Sequence, residues 1–267
     1  MKLITLLTDF GEQDGFVGIM KGVICSIIPE ASVIDLSHQI PAHQISQAAY
    51  VLKSAYRYFP AGTIHVVVVD PGVGSRRKII LCQANGQYFL APDNGVLKYI
   101  FWEHSVSEVI EISNSTYFLS PVSDTFHGRD IFAPVAAHLS RDSEVNQFGP
   151  VSRDFQRGRV PQLKLEKKAI VGEIIYIDKF GNLISNIPRS AIPEKIQNSK
   201  VRVFIKQKII HRISHSYATA EPHQLLAIWG SSDSLEIAMN QTSAKIQLGV
   251  EIGEPVRIEW AETGDLF

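Results

Sequence analysis

The stretch T-I-H-V-V-V-V at residues 63–69, running into D-P-G-V-G-S-R-R at 70–77, decides the fold. It is β-branched almost throughout, with no polar alternation. That is the pattern of a central parallel strand covered on both faces. Working outward, Gln44 to Tyr58 reads as a helix with Ile45, Ala48, Ala49, Leu52 and Ala55 on one face, ending before Pro60 and Gly62. Leu3 to Thr8 and Ser32 to Leu36 read as strands, and Phe16 to Ile28 between them carries helical periodicity up to Pro29. On the other side, Lys78 to Cys82 and Gln87 to Leu90 flank Asn85-Gly86, a hairpin turn signal. Helices are expected after Asp93-Asn94-Gly95 and over Asp130 to Ser140. Alternating elements of this kind predict a layered α/β domain with a mainly parallel sheet over residues 1–160.

Between residues 150 and 168 the pattern changes. Gly158, Pro161 and the charged run Lys164 to Lys168 read as a linker. Beyond it the helical period fades and short strand signals recur: Ala169 to Ile177, Asn182 to Ile187, Val201 to Ile205, Leu225 to Trp229, Leu235 to Met239 and Pro255 to Glu259. Residues 161–267 are therefore expected to form a smaller, all-β, barrel-like domain.

The chain has 267 residues, 45% hydrophobic and 20% charged, which suffices for two cores without disulfides or metals. With 26 basic and 27 acidic side chains the formal net charge is -1, so no basic surface for nucleic acid is expected. Cys25 and Cys82 both sit in apolar runs and read as buried. No apolar run is long enough to span a membrane, and Met1 to Asp9 lacks the features of a signal peptide. The expectation is a cytoplasmic protein with no membrane partner.

Ligands of open α/β sheets bind beyond the carboxyl ends of the strands. Polar clusters stand at such ends: Thr8-Asp9-Phe10-Gly11, Asp70 to Arg77, and Thr125 to Asp130 before a helix. The β region adds Asp178-Lys179-Phe180-Gly181-Asn182. Each has a structural reading too. Asp9 can cap a helix, Asp70-Pro71-Gly72 can be only a turn, and a lone His127 is more often structural than catalytic. Their joint position argues for one site. Phosphate-loop, zinc and serine-elbow motifs are missing, so no metal and no cofactor are expected.

The motifs T-D-F-G (8–11), D-G-F-V-G-I-M-K-G (14–22), D-L-S-H-Q-I (35–40), V-V-D-P-G-V-G-S-R-R (68–77), A-P-D-N-G-V-L (91–97), F-H-G-R-D-I-F-A-P-V-A (126–136), I-D-K-F-G-N-L-I-S-N (177–186) and L-E-I-A-M-N (235–240) together resemble the S-adenosylmethionine hydrolases, or SAM hydroxide adenosyltransferases. These are relatives of the fluorinase and chlorinase enzymes. The resemblance implies a homotrimer of α/β plus β-barrel subunits, with the site between one subunit's N-terminal domain and a neighbour's C-terminal domain. It implies hydrolysis of S-adenosyl-L-methionine to adenosine and L-methionine by water attack at ribose C5′. Asp70, Arg77 and His127 would match the family's water-activating triad, with Arg76 an open alternative to Arg77. Asp9 would hold the ribose hydroxyls and Asp178 the methionine amino group. Phe180 and Asn182 would line the adenine pocket, with Asn240 to Ala244 closing it. His43 falls where halogenating relatives carry an aromatic wall, which favours water over halide. A SAM-dependent halogenase and a non-catalytic adenosine or SAM sensor stand as the alternatives.

Overall fold

The computed structural model describes residues 2–141, 143–193, 196 and 201–261; the rest, including the end of the expected second domain, lie outside the described residues. The chain divides into two compact units, Met1–Val160 and Pro161–Phe267.

In the first unit, β1 (Ile4–Thr8), α1 (Phe16–Ile27), β2 (Val33–Ser37), α2 (Ile45–Ala55) and β3 (Ile64–Val68) follow one another as strand and crossover helix. β4 (Ile79–Ala84) and β5 (Gln87–Pro92) form the hairpin, and α3 (Lys98–Glu103), β6 (Val109–Glu111) and α4 (Ala133–Ser140) complete the unit. The six strands are ordered β2-β1-β3-β5-β4-β6. β1 pairs in parallel with β2 and β3, and β3 with β5. β4 runs antiparallel to both β5 and β6. The sheet is therefore mixed rather than mainly parallel. The Asn85-Gly86 turn reverses the chain, with Asn85 at φ +50° and Gly86 at φ +71°, and a reversed strand followed by another reversal supplies both antiparallel pairs.

Alternation along the strands assigns the two faces. Ile4, Leu6, Ile64, Val66 and Val68 join Met20 and Ile24 of α1 and Val135, Ala136 and Leu139 of α4 in one buried cluster. Thr5, Leu7, His65 and Val67 point the other way, and all are buried. α2 lies against β1 and β2 and packs on α3, burying Ala48, Ala49 and Leu52. β1 and β3 are covered on both sides, hence their continuous apolar runs.

Three local expectations change. The helix read over 44–58 ends at Ala55 and tightens into a 3₁₀ turn at Tyr56–Tyr58. The helix expected from Asp130 begins earlier, as a π turn over Gly128–Phe132. Cys25 is exposed, while Cys82 is buried. Cys25 follows Ile24 by one position, about 100° around α1, which turns it off the face that Ile24 buries.

The second unit is almost all strand: β7 (Lys164–Glu166), β8 (Ala169–Ile177), β9 (Leu183–Pro188), β10 (Val201–Ile205), β11 (Lys208–Ile210), β12 (Ile213–Ser214), β13 (Leu225–Trp229), β14 (Ser234–Met239) and β15 (Pro255–Trp260). Their order is β11-β10-β15-β8-β9-β14-β13-β12, with β7 on β8. All pairs are antiparallel except β12 with β13. The sheet curls until β11 meets β13, a nearly closed barrel around Ile170, Ile174, Leu183, Val203, Ile237 and Ile258. The charged run read as linker is thus partly strand: Glu166 pairs with Ala169 across Lys167-Lys168. A short helix, α5 (Ala244–Leu248), is capped by Ser243 Oγ, which accepts from the Ile246 amide at 3.2 Å. It ends at Gly249 in the left-handed conformation.

Candidate active site

The topology selects the place. From β1 the chain crosses through α1 to β2 on one side, then through α2 to β3 on the other. The strand order switches between β1 and β3, where an open α/β sheet forms its binding crevice. Thr8 pairs with Val68 in register, so Asp9 and Asp70 leave neighbouring strand ends. Both line a cavity of about 290 Å³ together with His43, Val73, Phe126 and His127.

Arg77 stands behind that wall. Its Nε donates to both Asp70 oxygens, at 2.9 and 2.8 Å, and its Nη2 reaches Asp70 Oδ2 as well. The pair is nearly dry, with side-chain exposures of 5% for Asp70 and 11% for Arg77. In such surroundings neither charge can lose its partner without a heavy penalty, and the two parallel bonds fix their geometry. The same Nη2 lies 2.8 Å from His127 Nδ1. A guanidinium only donates, so Nδ1 accepts. Burial and the Arg77 charge both push the His127 imidazole below the usual histidine range, against the pull of Asp70, Asp130 and Asp124. Arg76 is exposed, so of the two neighbouring arginines it is Arg77 that reaches Asp70 and His127.

The loop carrying Arg77 is compact. Ser75 Oγ donates to the Gly72 carbonyl at 2.6 Å and accepts from the Arg77 amide at 3.2 Å. Gly74 sits at φ +75°, and a Cβ there would stand 2.3 Å from the Asp124 carbonyl oxygen. This loop therefore lies directly on the segment that leads to His127, at a separation only glycine permits.

At the neighbouring strand end, Asp9 Oδ2 accepts from the His43 amide at 2.8 Å, with His43 at φ +66°. Sequence reasoning passed over the aromatic lining: Phe10, Phe16 and Phe126 pack mutually, with centroids 5.1 to 5.9 Å apart. Their signal was present, since each stands beside a motif residue in T-D-F-G, D-G-F-V-G or F-H-G-R-D.

The second unit gathers its own candidates. Asp178 folds the 178–182 turn: Oδ1 accepts from the Phe180 and Asn182 amides and Oδ2 from Asn182 Nδ2, each at 2.9 Å. Phe180 is left 66% exposed at the tip. Gly181, at φ +82°, abuts Ser243, and its carbonyl accepts from the Lys245 amide at 2.9 Å, which seats buried Ala244 beside the turn. Asn240 donates through Nδ2 to the Ala220 carbonyl at 2.7 Å, so its side chain holds a loop. Among the described residues no group of three His, Cys, Asp or Glu side chains is arranged to hold a metal ion. Among them, too, no helix is long and apolar enough to cross a membrane.

Comparison with known proteins places the chain among relatives of one family. Residues 4–149 match the N-terminal domain of the SAM hydroxide adenosyltransferases and residues 172–257 their C-terminal domain. An (R)-S-adenosyl-L-methionine hydrolase of Salinispora tropica is 34% identical, over 96% of this chain and 97% of its own. One of Methanocaldococcus jannaschii is 33% identical, over 97% and 96%. A crystal structure of an uncharacterized conserved protein of Thermotoga maritima superposes with a TM-score of 0.89 at 36% identity, covering 96% of this chain and 99% of that one.

Proposed function

The chain belongs to the SAM hydroxide adenosyltransferase family, and from that premise we propose that it hydrolyses S-adenosyl-L-methionine to adenosine and L-methionine. One observation carries the residue assignment: from behind the wall, Arg77 bonds to both Asp70 and His127, which line the cavity together with Asp9.

The reaction needs little from an acid. The leaving group is a sulfonium that departs as a neutral thioether. Its difficulty is the nucleophile, because neutral water attacks poorly. In this reading a water rests against Asp70 and His127. Its oxygen forms a bond to C5′ as the C5′–S bond breaks and that electron pair returns to sulfur. The attacking oxygen becomes strongly acidic during the step, and its proton passes to Asp70 and then to solvent. A carboxylate suffices as acceptor for so acidic a proton. Holding the water in line contributes several kcal/mol.

His127 takes a different part. With Nδ1 turned to Arg77, the neutral ring carries its proton on Nε2 and offers an N–H, which orients the water through a lone pair. Asp9 accepts from the ribose hydroxyls with the lone pairs that the His43 amide leaves. Asp178, Phe180 and Asn182, contributed by a neighbouring copy of the chain, serve the methionine amino group and adenine, with Asn240 and Ala244 of that copy beside them. A homotrimer in the cytoplasm completes the reading; light scattering and cell fractionation test those two points. The function itself is tested by product analysis in ¹⁸O-labelled water. Label in the adenosine 5′-hydroxyl supports attack at C5′. Adenine, or a 5′-halo-adenosine when chloride or fluoride is present, refutes it.

A further inference from the structure

Asp130 lies outside the cavity wall and is 1% exposed. A carboxylate at that depth needs donors. Arg129 Nε donates to Oδ1 at 2.6 Å and Arg129 Nη2 to Oδ2 at 3.0 Å. The third donor is the backbone amide of Ser123, 2.8 Å from Oδ2. Burial pushes the carboxyl up, but the bonds from Arg129 and Ser123 outweigh it, and Asp130 is held below the usual carboxylate range.

The tie to Ser123 reaches seven residues back along the chain, across His127. Further bonds close the same loop. Ser123 Oγ accepts from the Phe126 amide at 3.1 Å, and the Leu119 amide donates to the Asp130 carbonyl at 2.9 Å. Arg129 lies over the Phe126 ring, with its guanidinium carbon 5.4 Å from the centroid. The π turn at Gly128–Phe132 belongs to this arrangement, since such turns are inserted where a helix must aim a side chain. The loop so closed is also the one on which Gly74 rests, through Asp124.

We propose that Asp130 is a positioning residue for the hydrolysis: by fastening Ser123 it fixes the segment 123–127 on which His127 meets Arg77. The inference rests on the function read above. Asp130 touches neither substrate nor water. It sets the height of the His127 ring and, through the Asp124–Gly74 contact, the floor under the Asp70–Arg77 loop. A displacement of about 1 Å at such a point lowers turnover on the order of a hundredfold while leaving ligand contacts in place.

The test compares wild type with Asp130→Ala, Asp130→Asn and Arg129→Gln. Adenosine release gives kcat and KM, and an NMR titration follows the His127 ring independently of turnover. Asp130→Ala is expected to lower kcat about ten- to a hundredfold with KM changed less than about threefold. The His127 titration is expected to move back toward 6.5 as the ring gains solvent and leaves Arg77. Asp130→Asn, which keeps an acceptor for the Ser123 amide, should recover part of both, and Arg129→Gln should retain most of kcat. If Asp130→Ala does not fold, Asp130→Asn decides: kcat lowered by about threefold or more together with a shifted His127 titration supports the proposal, and wild-type values for both overturn it. Wild-type kcat with an unmoved His127 titration overturns the proposal. So does a loss of kcat and KM together that follows the loss of thermal stability. Should wild type form no adenosine, the hydrolase reading falls, while the titration still decides whether Asp130 places His127.

Discussion

Arg77 Nη2 donates to His127 Nδ1 at 2.8 Å, and that one bond decides which nitrogen of the imidazole faces the cavity chemistry as a donor. The ring is neutral with its proton on Nε2, and its lowered pKa keeps it so. The group's neutral form therefore persists below 6.5, and activity should hold on the acid side until that lowered value is reached. His127→Gln, which keeps a side-chain N–H, should retain more turnover than His127→Ala, whose loss is on the order of a hundredfold. Equal loss in both variants would remove the N–H donor role, and an acid limb at 6.5 or above would show that burial and Arg77 do not hold the ring neutral.

Asp70 is assigned the proton. Asp70→Asn removes the acceptor charge while nearly keeping the volume, so turnover should fall about 10²–10⁴-fold. Adenosine affinity, read by calorimetry, should change by less than about threefold, because the carboxylate meets the water and not the nucleoside. A variant with wild-type kcat removes Asp70 from the chemistry.

Arg77 and Arg76 are adjacent in sequence and opposite in consequence. Arg77→Met leaves the Asp70 carboxylate, 5% exposed, without its countercharge. The expected cost is about 3 kcal/mol or more in unfolding free energy, besides the loss of turnover. Asp70→Asn combined with Arg77→Met should recover much of that stability and none of the activity. Arg76→Ala should change neither by more than about 0.5 kcal/mol, as for most exposed positions. Urea unfolding with kinetics on the same preparations separates the two arginines.

The strands buried on both faces were legible because burial forces their composition. The β-branched run at 63–69 is the case in point, while the barrel runs at 169–177, 201–205 and 225–229 show as short β-rich stretches between turn residues. Pairing partners were less so. Asn85-Gly86 announces a reversal, but nothing in the residues says that β5 rather than β4 lies beside β3. β6 is three residues long, pairs with β4 and bridges to Val151, and is too short for a period to show. The lysines at 167–168 read as linker because a tight turn and a linker share the same residues. The site was legible at strand ends, where polar residues break apolar runs. The Phe10, Phe16 and Phe126 wall was not, because an aromatic residue next to a core reads as core. Whether Cys25 faces inward depends on where α4 packs against α1, which no local pattern holds.

His65 supplies a test of the sheet itself. It is fully buried between β1 and β5, bonded to Thr5 Oγ1 at 2.8 Å and stacked on Phe89 at 5.1 Å. Burial pushes its imidazole down to about 4 from an ordinary 6.5. The unfolded chain therefore binds the proton first as pH falls. Stability is fully present above 6.5 and declines between 6.5 and about 4, with a total contribution near 3 kcal/mol. His127 and His138, both lowered by burial first and by Arg77 or Arg141 next, act below 6.5 with the same sign. Amide hydrogen exchange in β1 and β3, measured at neutral pH and again near pH 4.5, reads this directly. His65→Phe keeps a ring on Phe89 and removes the titrating group. It should cost stability at neutral pH, through the unpaired Thr5 hydroxyl, yet lose less on acidification than wild type does. If the two proteins lose stability in parallel, protonation of His65 is not what weakens the sheet in acid.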